Sequence, residues 1–313
     1  MQELIIEFVL IVGISVAIGI VAAMTGISGG AFKTPLLIIL FALTAEIASA
    51  ASLLSALFVA VVSTGAYYRH NPHLIDYRVG VLSVVATIPG TYFGIVFRTI
   101  AAHAHVLRYV FGIILFPIAL KLLFAISDTR KNDNGIMKRL RFSELTKKKL
   151  AAAILAIFMA GVSAGLLGLG GGTIIVPVLC IILRFRMIVA AATSMFTMIF
   201  TTSVGSVINY IYLMQTEQLS IFLYYSLTMG IGMIVGGMIG PRYASRVNEV
   251  ALQRIFGFLL IFPIVKMMTL GQLWLDPSGQ NYVLATIGDA IIWLGVAIPV
   301  WIISSFRLRT GKK

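Results

Sequence analysis

Residues 26–35 (GISGGAFKTP) and residues 168–177 (GLGGGTIIVP) are two versions of one glycine-rich segment, separated by 142 positions. They share an initial glycine, a glycine pair and a closing proline (Gly26 with Gly168, Gly29 and Gly30 with Gly171 and Gly172, Pro35 with Pro177). Glycine clusters interrupt a helix. Interrupted helices at corresponding positions of two halves are typical of the substrate sites of secondary transporters.

The rest of the sequence has the composition of a membrane protein. Hydrophobic residues make up 59% of the 313 positions and charged residues only 11%, whereas soluble domains carry about 25% charged residues. Residues 8–32 contain no charge, and about 20 apolar residues are enough to cross the hydrocarbon core. We therefore predict an all-α polytopic membrane protein.

Charge and cysteine content exclude several other classes of protein. The net charge of +13 is concentrated in loops beside apolar segments, where Lys and Arg mark the cytoplasmic side, so nucleic-acid binding is not expected. The single cysteine, Cys180, excludes an intrachain disulfide and a thiolate metal cluster. The sequence has no metal-ligand spacing and no Walker A motif. We predict no cofactor and no metal, and transport that is secondary or passive.

Further matches at the same offset extend the repeat over most of the chain. Hydroxyl and glycine positions of the first half recur in the second (Ser52, Ser55, Thr64, Gly90 and Gly94 with Ser194, Thr197, Ser206, Gly232 and Gly236). We predict a first membrane repeat at 1–126 and a cytoplasmic basic linker at 127–148. A second repeat follows at 149–270, and 271–313 form a final span and a basic cytoplasmic tail.

The loop charges orient these segments. Each repeat should contain a glycine-broken helical hairpin and three spanning helices, an odd number of crossings, so the two repeats are inverted relative to each other. In the second repeat the predicted segments are 149–168, 172–183, 188–213, 219–240 and 251–270, and 283–306 form the extra C-terminal span. One observation disagrees, because Arg98 and Arg108 fall in a loop that this topology places outside.

The two glycine breaks predict a binding site for an anion. A half-helix that begins after such a break exposes free N–H groups and the positive end of its dipole. A lysine within the membrane is energetically costly and therefore indicates a functional site. The positive charge of Lys33 would make the substrate an anion. We expect substrate contacts from both breaks and from matched hydroxyl groups (Ser28, Gly29, Gly30, Lys33, Thr34, Ser52, Gly170, Gly171, Gly172, Thr173, Ser194 and Thr197).

Each of these features also has a structural interpretation. Glycines permit close helix packing, and hydroxyl groups form interhelical hydrogen bonds. The Lys33 ammonium could extend to a membrane interface. Glu46 and Asp289 are candidates for carrying protons in coupled transport, although both could instead lie at the ends of apolar segments.

A serine hydrolase is the alternative from a different functional class. Residues 161–165 fit the pattern G-x-S-x-G around Ser163, and Ser28 lies in a similar setting. A serine nucleophile needs a base within hydrogen-bond reach, but all four histidines fall in predicted loops. We therefore predict that the protein is not an enzyme.

The second glycine segment resembles that of the TauE/SafE (sulfite exporter) family. Residues 165–172 have the pattern G-x-x-G-x-G-G-G, followed by Thr173 and Pro177. The resemblance implies a transporter of the bacterial inner membrane for sulfur-containing anions such as sulfite, sulfonates or sulfoacetate, with membrane lipid as its other partner. We expect a proton-coupled exporter, with a passive anion channel as the alternative. A homodimer is one candidate for the oligomeric state.

The first copy departs from the family pattern. Ala23, Ser28 and Ala31 stand where the second copy has Gly165, Gly170 and Thr173. The two half-sites should therefore be chemically unequal.

Overall fold

The structure is a computed structural model that describes residues 2–100, 147–268, 270–275 and 281–310, with single positions at 116, 119, 120 and 123. Within these ranges the chain forms eleven α-helices and no β-strand. The helices are α1 (Gln2–Thr25), α2 (Gly30–Phe41), α3 (Ala45–His70), α4 (Tyr77–Ile100), α5 (Lys147–Leu167), α6 (Gly172–Pro177), α7 (Met187–Leu213), α8 (Leu219–Ala244), α9 (Glu249–Met267), α10 (Leu270–Leu275) and α11 (Tyr282–Thr310). A 3₁₀ turn, Pro72–Leu74, follows α3, and a π-helical turn, Val178–Ile182, extends α6.

Six of these helices, α1, α3, α4, α5, α7 and α8, are long and apolar enough to cross a membrane. This result confirms the all-α polytopic class that composition predicts. Of the linker predicted at 127–148, only the last two residues are described, and they begin α5. The third span predicted for the first repeat lies almost entirely outside the described residues, as does Arg108.

Helices of one half pack most closely on helices of the other half. The first half's α4 lies along α5, and its α1 lies along α8. Glycines let these backbones approach: a methyl group on Gly94 would lie 2.2 Å from the Val162 carbonyl oxygen, and one on its counterpart Gly236 would lie 2.6 Å from that of Val16. Small residues serve helix packing in membranes in this way, so the structural interpretation of glycine applies at these positions.

Two matched helices, α3 and α7, run in opposite directions. The backbone N–H of Asp76, just after α3, donates to the Thr193 hydroxyl near the start of α7. Twelve residues further along α7, Gly205 lies against Leu53, near the start of α3. Helix α4 instead runs with α7, since the Thr201 hydroxyl donates to that of Thr87 at 2.9 Å while Asp76 precedes α4. Counterpart helices of inverted halves have this antiparallel relation.

The described helices fall into two compact units. Helices α1 to α8 form the first, and α9 to α11 belong to the second, so the predicted second repeat at 149–270 contributes to both. In the second unit, the N–H of Gly271 in α10 donates to the Asp289 carboxylate of α11 at 2.7 Å. Trp293 of α11 donates from its ring to the Phe258 carbonyl of α9 at 3.1 Å. Asp289 is buried and is the eighth residue of α11, so it does not lie at a helix end.

Candidate anion site at the paired glycine breaks

The two glycine breaks share left-handed glycines at two matched positions. In the first copy, Gly26 follows the end of α1 with a φ of 79°, and Gly168 follows the end of α5 with a φ of 71°. Left-handed φ values of this kind favour glycine because a Cβ atom would clash with the backbone. The residues that precede α2 and α6, Gly29 and Gly171, are also left-handed, at 72° and 85°. The breaks therefore begin and end alike, but they differ in between, where Gly170 has a φ of 63° and its counterpart Ser28 is not left-handed.

The breaks lie directly against each other, with reciprocal contacts. A methyl group on Gly30 would lie 2.1 Å from the Gly168 carbonyl oxygen, and one on Gly172 would lie 2.2 Å from that of Gly26. The matched serines of α3 and α7 complete the pattern. Ser52 donates its hydroxyl to the Gly168 carbonyl at 3.5 Å, and Ser194 donates to the Gly26 carbonyl at 3.0 Å. The two halves thus contact each other's breaks in equivalent ways, so that an approximate two-fold axis relates the breaks.

Ser28 and Gly170, which are counterparts, contact each other and so lie at this axis. A methyl group on Gly170 would lie 2.5 Å from the Ser28 Cβ atom. The Ser28 hydroxyl donates to the Leu169 carbonyl and accepts the Gly30 N–H at 3.2 Å. There is room for one side chain at this point. The contact and the left-handed φ of 63° at Gly170 both favour glycine there and a side chain only at Ser28.

Lys33 is fully buried, and its ammonium group faces α3. Its Nζ donates to the Ser52 carbonyl at 2.9 Å and to the Ser55 hydroxyl at 2.8 Å. Among the described residues no carboxylate pairs with it. An ammonium has three N–H donors, so one remains for another acceptor. The alternative in which this side chain extends to a membrane interface does not apply, since none of it is exposed.

Among the other hydroxyl groups predicted to bind the anion, some are available to a ligand and some serve helix packing. Thr34 Oγ1, next to Lys33, and Thr173 Oγ1, in the first turn of α6, are buried without a hydrogen-bond partner among the described residues. Thr197 instead donates to the Thr193 carbonyl of its own helix at 3.0 Å, with the Gly80 carbonyl of α4 at 3.5 Å. Thr34 and Thr173 keep donors that a ligand could use, and Thr197 serves the packing of α7 on α4.

Arg98 is the main residue that the sequence misplaced. It ends the candidate span Tyr77–Arg98 of α4, and its guanidinium reaches three other helices. Nη1 donates to the Ser49 hydroxyl of α3 at 3.2 Å and to the Gly165 carbonyl of α5 at 3.4 Å. Nη2 donates to the Asn209 side-chain carbonyl of α7 at 2.6 Å. Arg98 therefore does not belong to the loop charges that orient the membrane segments. Its conflict with the predicted topology was the signal that could have identified it.

Lys33 and Arg98 both bind α3 of the first half, and together they form the cationic half-site. The counterparts of Lys33 and Arg98 are Ile175 and Gly240, which carry no charge. Tyr67 stands where the other half has Asn209, and its hydroxyl donates to the Ala23 carbonyl at 2.8 Å. The prediction of chemically unequal half-sites agrees with this arrangement. One half-site is cationic, and its counterpart is neutral.

Glu46 lies in the first turn of α3, after the capping residue Thr44. It is therefore at a helix end, as the structural interpretation predicts. Its carboxylate acts electrostatically on Arg98, but the two do not form a direct ion pair. Glu46 thus belongs to the surroundings of the cationic half-site, whereas Asp289 belongs to the second unit.

The serines considered as nucleophiles bind backbone carbonyls. Ser163 donates to the Ala160 carbonyl at 2.8 Å, and Ser28 donates to Leu169. In the part of the chain that the structure describes, neither hydroxyl bonds to a basic side chain. His70 and His73 are exposed at the end of α3 and in the following turn, and His103 and His105 lie outside the described residues.

Comparisons with known proteins agree with this architecture. A relative from Bacillus subtilis (strain 168), described as a probable membrane transporter protein YunE, is 26% identical over 268 residues, which cover 82% of this chain and 95% of the relative. No solved structure matches the chain. The family model of the sulfite exporter TauE/SafE matches residues 11–267, a range that includes both glycine breaks and every residue of the cationic half-site. The chain therefore belongs to the sulfite exporter TauE/SafE family of membrane transporters.

Proposed function

We propose that this protein is a secondary transporter that exports a small sulfur-containing anion (sulfite, a sulfonate or sulfoacetate) across the bacterial inner membrane, coupled to the proton gradient. The family supports the transporter class and the sulfur chemistry. The two halves form an inverted repeat, and the C-terminus is cytoplasmic. The domain limits predicted from the sequence (1–126, 127–148, 149–270 and 271–313) describe this repeat.

The buried ammonium of Lys33 is the observation that carries the proposal. A charge removed from water costs several kcal/mol or more unless it is paired. Lys33 has only two neutral oxygens as described acceptors, Ser52 O and Ser55 Oγ. An anion that accepts the third N–H would supply the missing charge. The hydroxyl of Thr34 in the same helix is a further buried donor without a partner among the described residues.

The closed packing of the breaks favours a transporter over a channel. Ser28, Lys33, Ser52 and Ser194 have no exposed surface, so an anion reaches Lys33 only if the helices around the breaks move. Alternating access of one repeat against the other provides such a movement in transporters with inverted repeats. A permanently open pore would instead leave these side chains in contact with water.

Glu46 is the candidate for proton coupling. It is half-buried and acts on Arg98, so its protonation changes the charge of the cationic half-site. Proton binding at Glu46 and anion binding at the site are therefore linked. Asp289 is the less direct candidate, because it lies in the second unit.

Flux through proteoliposomes tests the proposal. The purified chain would be reconstituted and loaded with sulfite or sulfoacetate, and efflux measured with and without an imposed proton gradient. Lys33→Met keeps the aliphatic chain and removes the charge. Hydrogen bonds to charged groups contribute about 1.5–3 kcal/mol, and 1.4 kcal/mol corresponds to about tenfold in affinity. We therefore expect Lys33→Met to lower the affinity for the anion at least about tenfold, and efflux with it.

Lys148→Met is the matched control, since Lys148 is exposed at the start of α5. It should transport as the wild type does. If neither anion is transported, the proposed substrate class is wrong. If efflux occurs at the same rate with and without the gradient, the protein is a passive pathway. If Lys33→Met equals Lys148→Met, Lys33 does not bind the substrate.

A further inference from the structure

The cluster around Arg98 contains more hydrogen-bond donors than the protein uses. A guanidinium has five N–H donors, and Arg98 makes three described hydrogen bonds, to Ser49, Gly165 and Asn209. Its Nε is buried without a partner. The Asn209 side chain is 1% exposed, and its Nδ2 also has no described partner. Two donors of Arg98 and both N–H groups of Asn209 therefore remain unused.

These unused donors lie close together. Arg98 Nη2 is 2.6 Å from Asn209 Oδ1, and Nδ2 belongs to the same amide group. Leaving a buried donor unpaired costs about 1–3 kcal/mol, so the cluster has a strong preference for an acceptor. A water molecule can accept two hydrogen bonds, whereas an oxyanion with several oxygens can accept from all four donors and also balance the charge of Arg98.

The cluster is connected to the glycine breaks. The Ser49 hydroxyl, which accepts from Arg98, would lie 2.7 Å from a methyl group on Gly168. On the same helix, Ser52 bonds to the Gly168 carbonyl through its hydroxyl and to Lys33 through its own carbonyl. Ser49 and Ser52 are one turn apart on α3, about 4.5 Å along its axis. Arg98 and Lys33 thus both bind residues of α3 that contact the second break.

We propose that Arg98, Ser49 and Asn209 form a second oxyanion-binding site, which the transported anion occupies in sequence with the Lys33 site. The assignment rests on the proposed function only for the identity of the anion. The site is distinct from the predicted one, which consists of the breaks, Lys33 and the matched hydroxyl groups. Two sites in sequence allow an anion to leave one cation as it approaches the next.

Calorimetric titration of the full-length purified chain with sodium sulfite tests this proposal. The wild type should bind two equivalents, and Lys33→Met and Arg98→Gln should each bind one. Arg69→Gln is the matched control, because Arg69 is an exposed arginine in the last turn of α3, and it should bind two. Wild-type stoichiometry and affinity in Arg98→Gln would overturn the proposal, as would a wild type that binds one equivalent or none.

Asn209→Asp separates binding from a structural role. It keeps an oxygen acceptor for Arg98 Nη2 but replaces the free N–H donors with negative charge. If Arg98 only supports the packing, this variant should be as stable as the wild type and bind sulfite with the same stoichiometry and affinity as the wild type. A second binding site instead requires the loss of one equivalent, with its Kd raised at least tenfold, in a variant that keeps the wild-type elution volume and unfolding temperature.

The two proposals fail in different ways. If Asn209→Asp loses one equivalent but no sulfur anion is transported by the wild type, the second site stands and the transport function is wrong. If transport depends on Lys33 while Asn209→Asp binds and transports as the wild type does, the function stands and the second site is wrong.

Discussion

Replacing Gly30 by alanine tests the direct contact between the two glycine breaks. The added methyl group would lie 2.1 Å from the Gly168 carbonyl oxygen and 3.0 Å from the Leu169 Cα atom. A carbon and a carbonyl oxygen in favourable contact are about 3.3–3.6 Å apart. The breaks must therefore separate by about 1 Å. That movement also stretches the hydrogen bond from Ser28 to the Leu169 carbonyl.

The expected cost follows from these two effects. Overpacking a well-packed interior costs about 1–3 kcal/mol, and weakening a buried hydrogen bond costs about 1 kcal/mol. We expect Gly30→Ala to destabilise the protein by about 2–4 kcal/mol, and at about 2–4 °C per kcal/mol this lowers Tm by about 4–16 °C. Gly172→Ala places its methyl group 2.2 Å from the Gly26 carbonyl, so its effect should be similar.

Thermal unfolding in detergent and efflux from proteoliposomes are the two measurements. Gly13→Ala and Gly65→Ala are matched controls, because a methyl group at either position has no atom within 4 Å, and alanine is the better helix former. The double variant of Gly30 and Gly172 should lose less than the sum of the single variants, since both separate the same two loops. If Gly30→Ala unfolds and transports like Gly13→Ala, the breaks do not lie against each other.

Three further predictions concern other parts of the molecule. Gly170→Ala should lower Tm and efflux because φ at this position is 63° and because its methyl group meets Ser28; adding Ser28→Gly should restore the part that is due to the contact, and no restoration would contradict that contact. Asp289→Asn keeps an acceptor for the Gly271 N–H, so its Tm should stay near that of the wild type, while Asp289→Ala should lose about 1–3 kcal/mol; equal losses in a melting experiment would refute the acceptor role. Glu46→Gln should retain sulfite binding but lose the dependence of efflux on the proton gradient, and an unchanged gradient dependence would remove Glu46 as the coupling group.

The sequence predicted the helices well because their signals are local. The predicted segment 188–213 differs from α7 by one residue, and 149–168 matches α5 within two residues at either end. Long apolar runs bounded by charge or glycine are enough for such predictions. The offset of 142 positions also predicted which residues would be equivalent, and the reciprocal bonds of Ser52 and Ser194 agree with it.

The contacts between helices could not be predicted from the sequence. Apolar helices in a membrane do not show by periodicity which face meets which partner, since lipid is as apolar as the interior. Nothing local indicates that Ser28 meets Gly170, or that Gly30 fits beneath the Gly168 carbonyl. From the sequence, Arg98 was placed in a loop for a related reason, because a charge at the end of an apolar segment is usually interpreted as a loop residue. Its long side chain instead turns inward to Ser49 and Asn209.

The serine at the two-fold axis has a consequence for the origin of the chain. In an assembly of two separate, identical halves, a residue on the axis faces its own copy, so a serine at this position would meet a second serine where a single methyl group already lies within 2.5 Å of the Ser28 Cβ atom. Two unfused halves would need glycine in both copies. Fusion into one polypeptide allows the two positions to mutate independently. Ser28, and with it the bond to the Leu169 carbonyl, is thus a feature that an assembly of two identical halves cannot have.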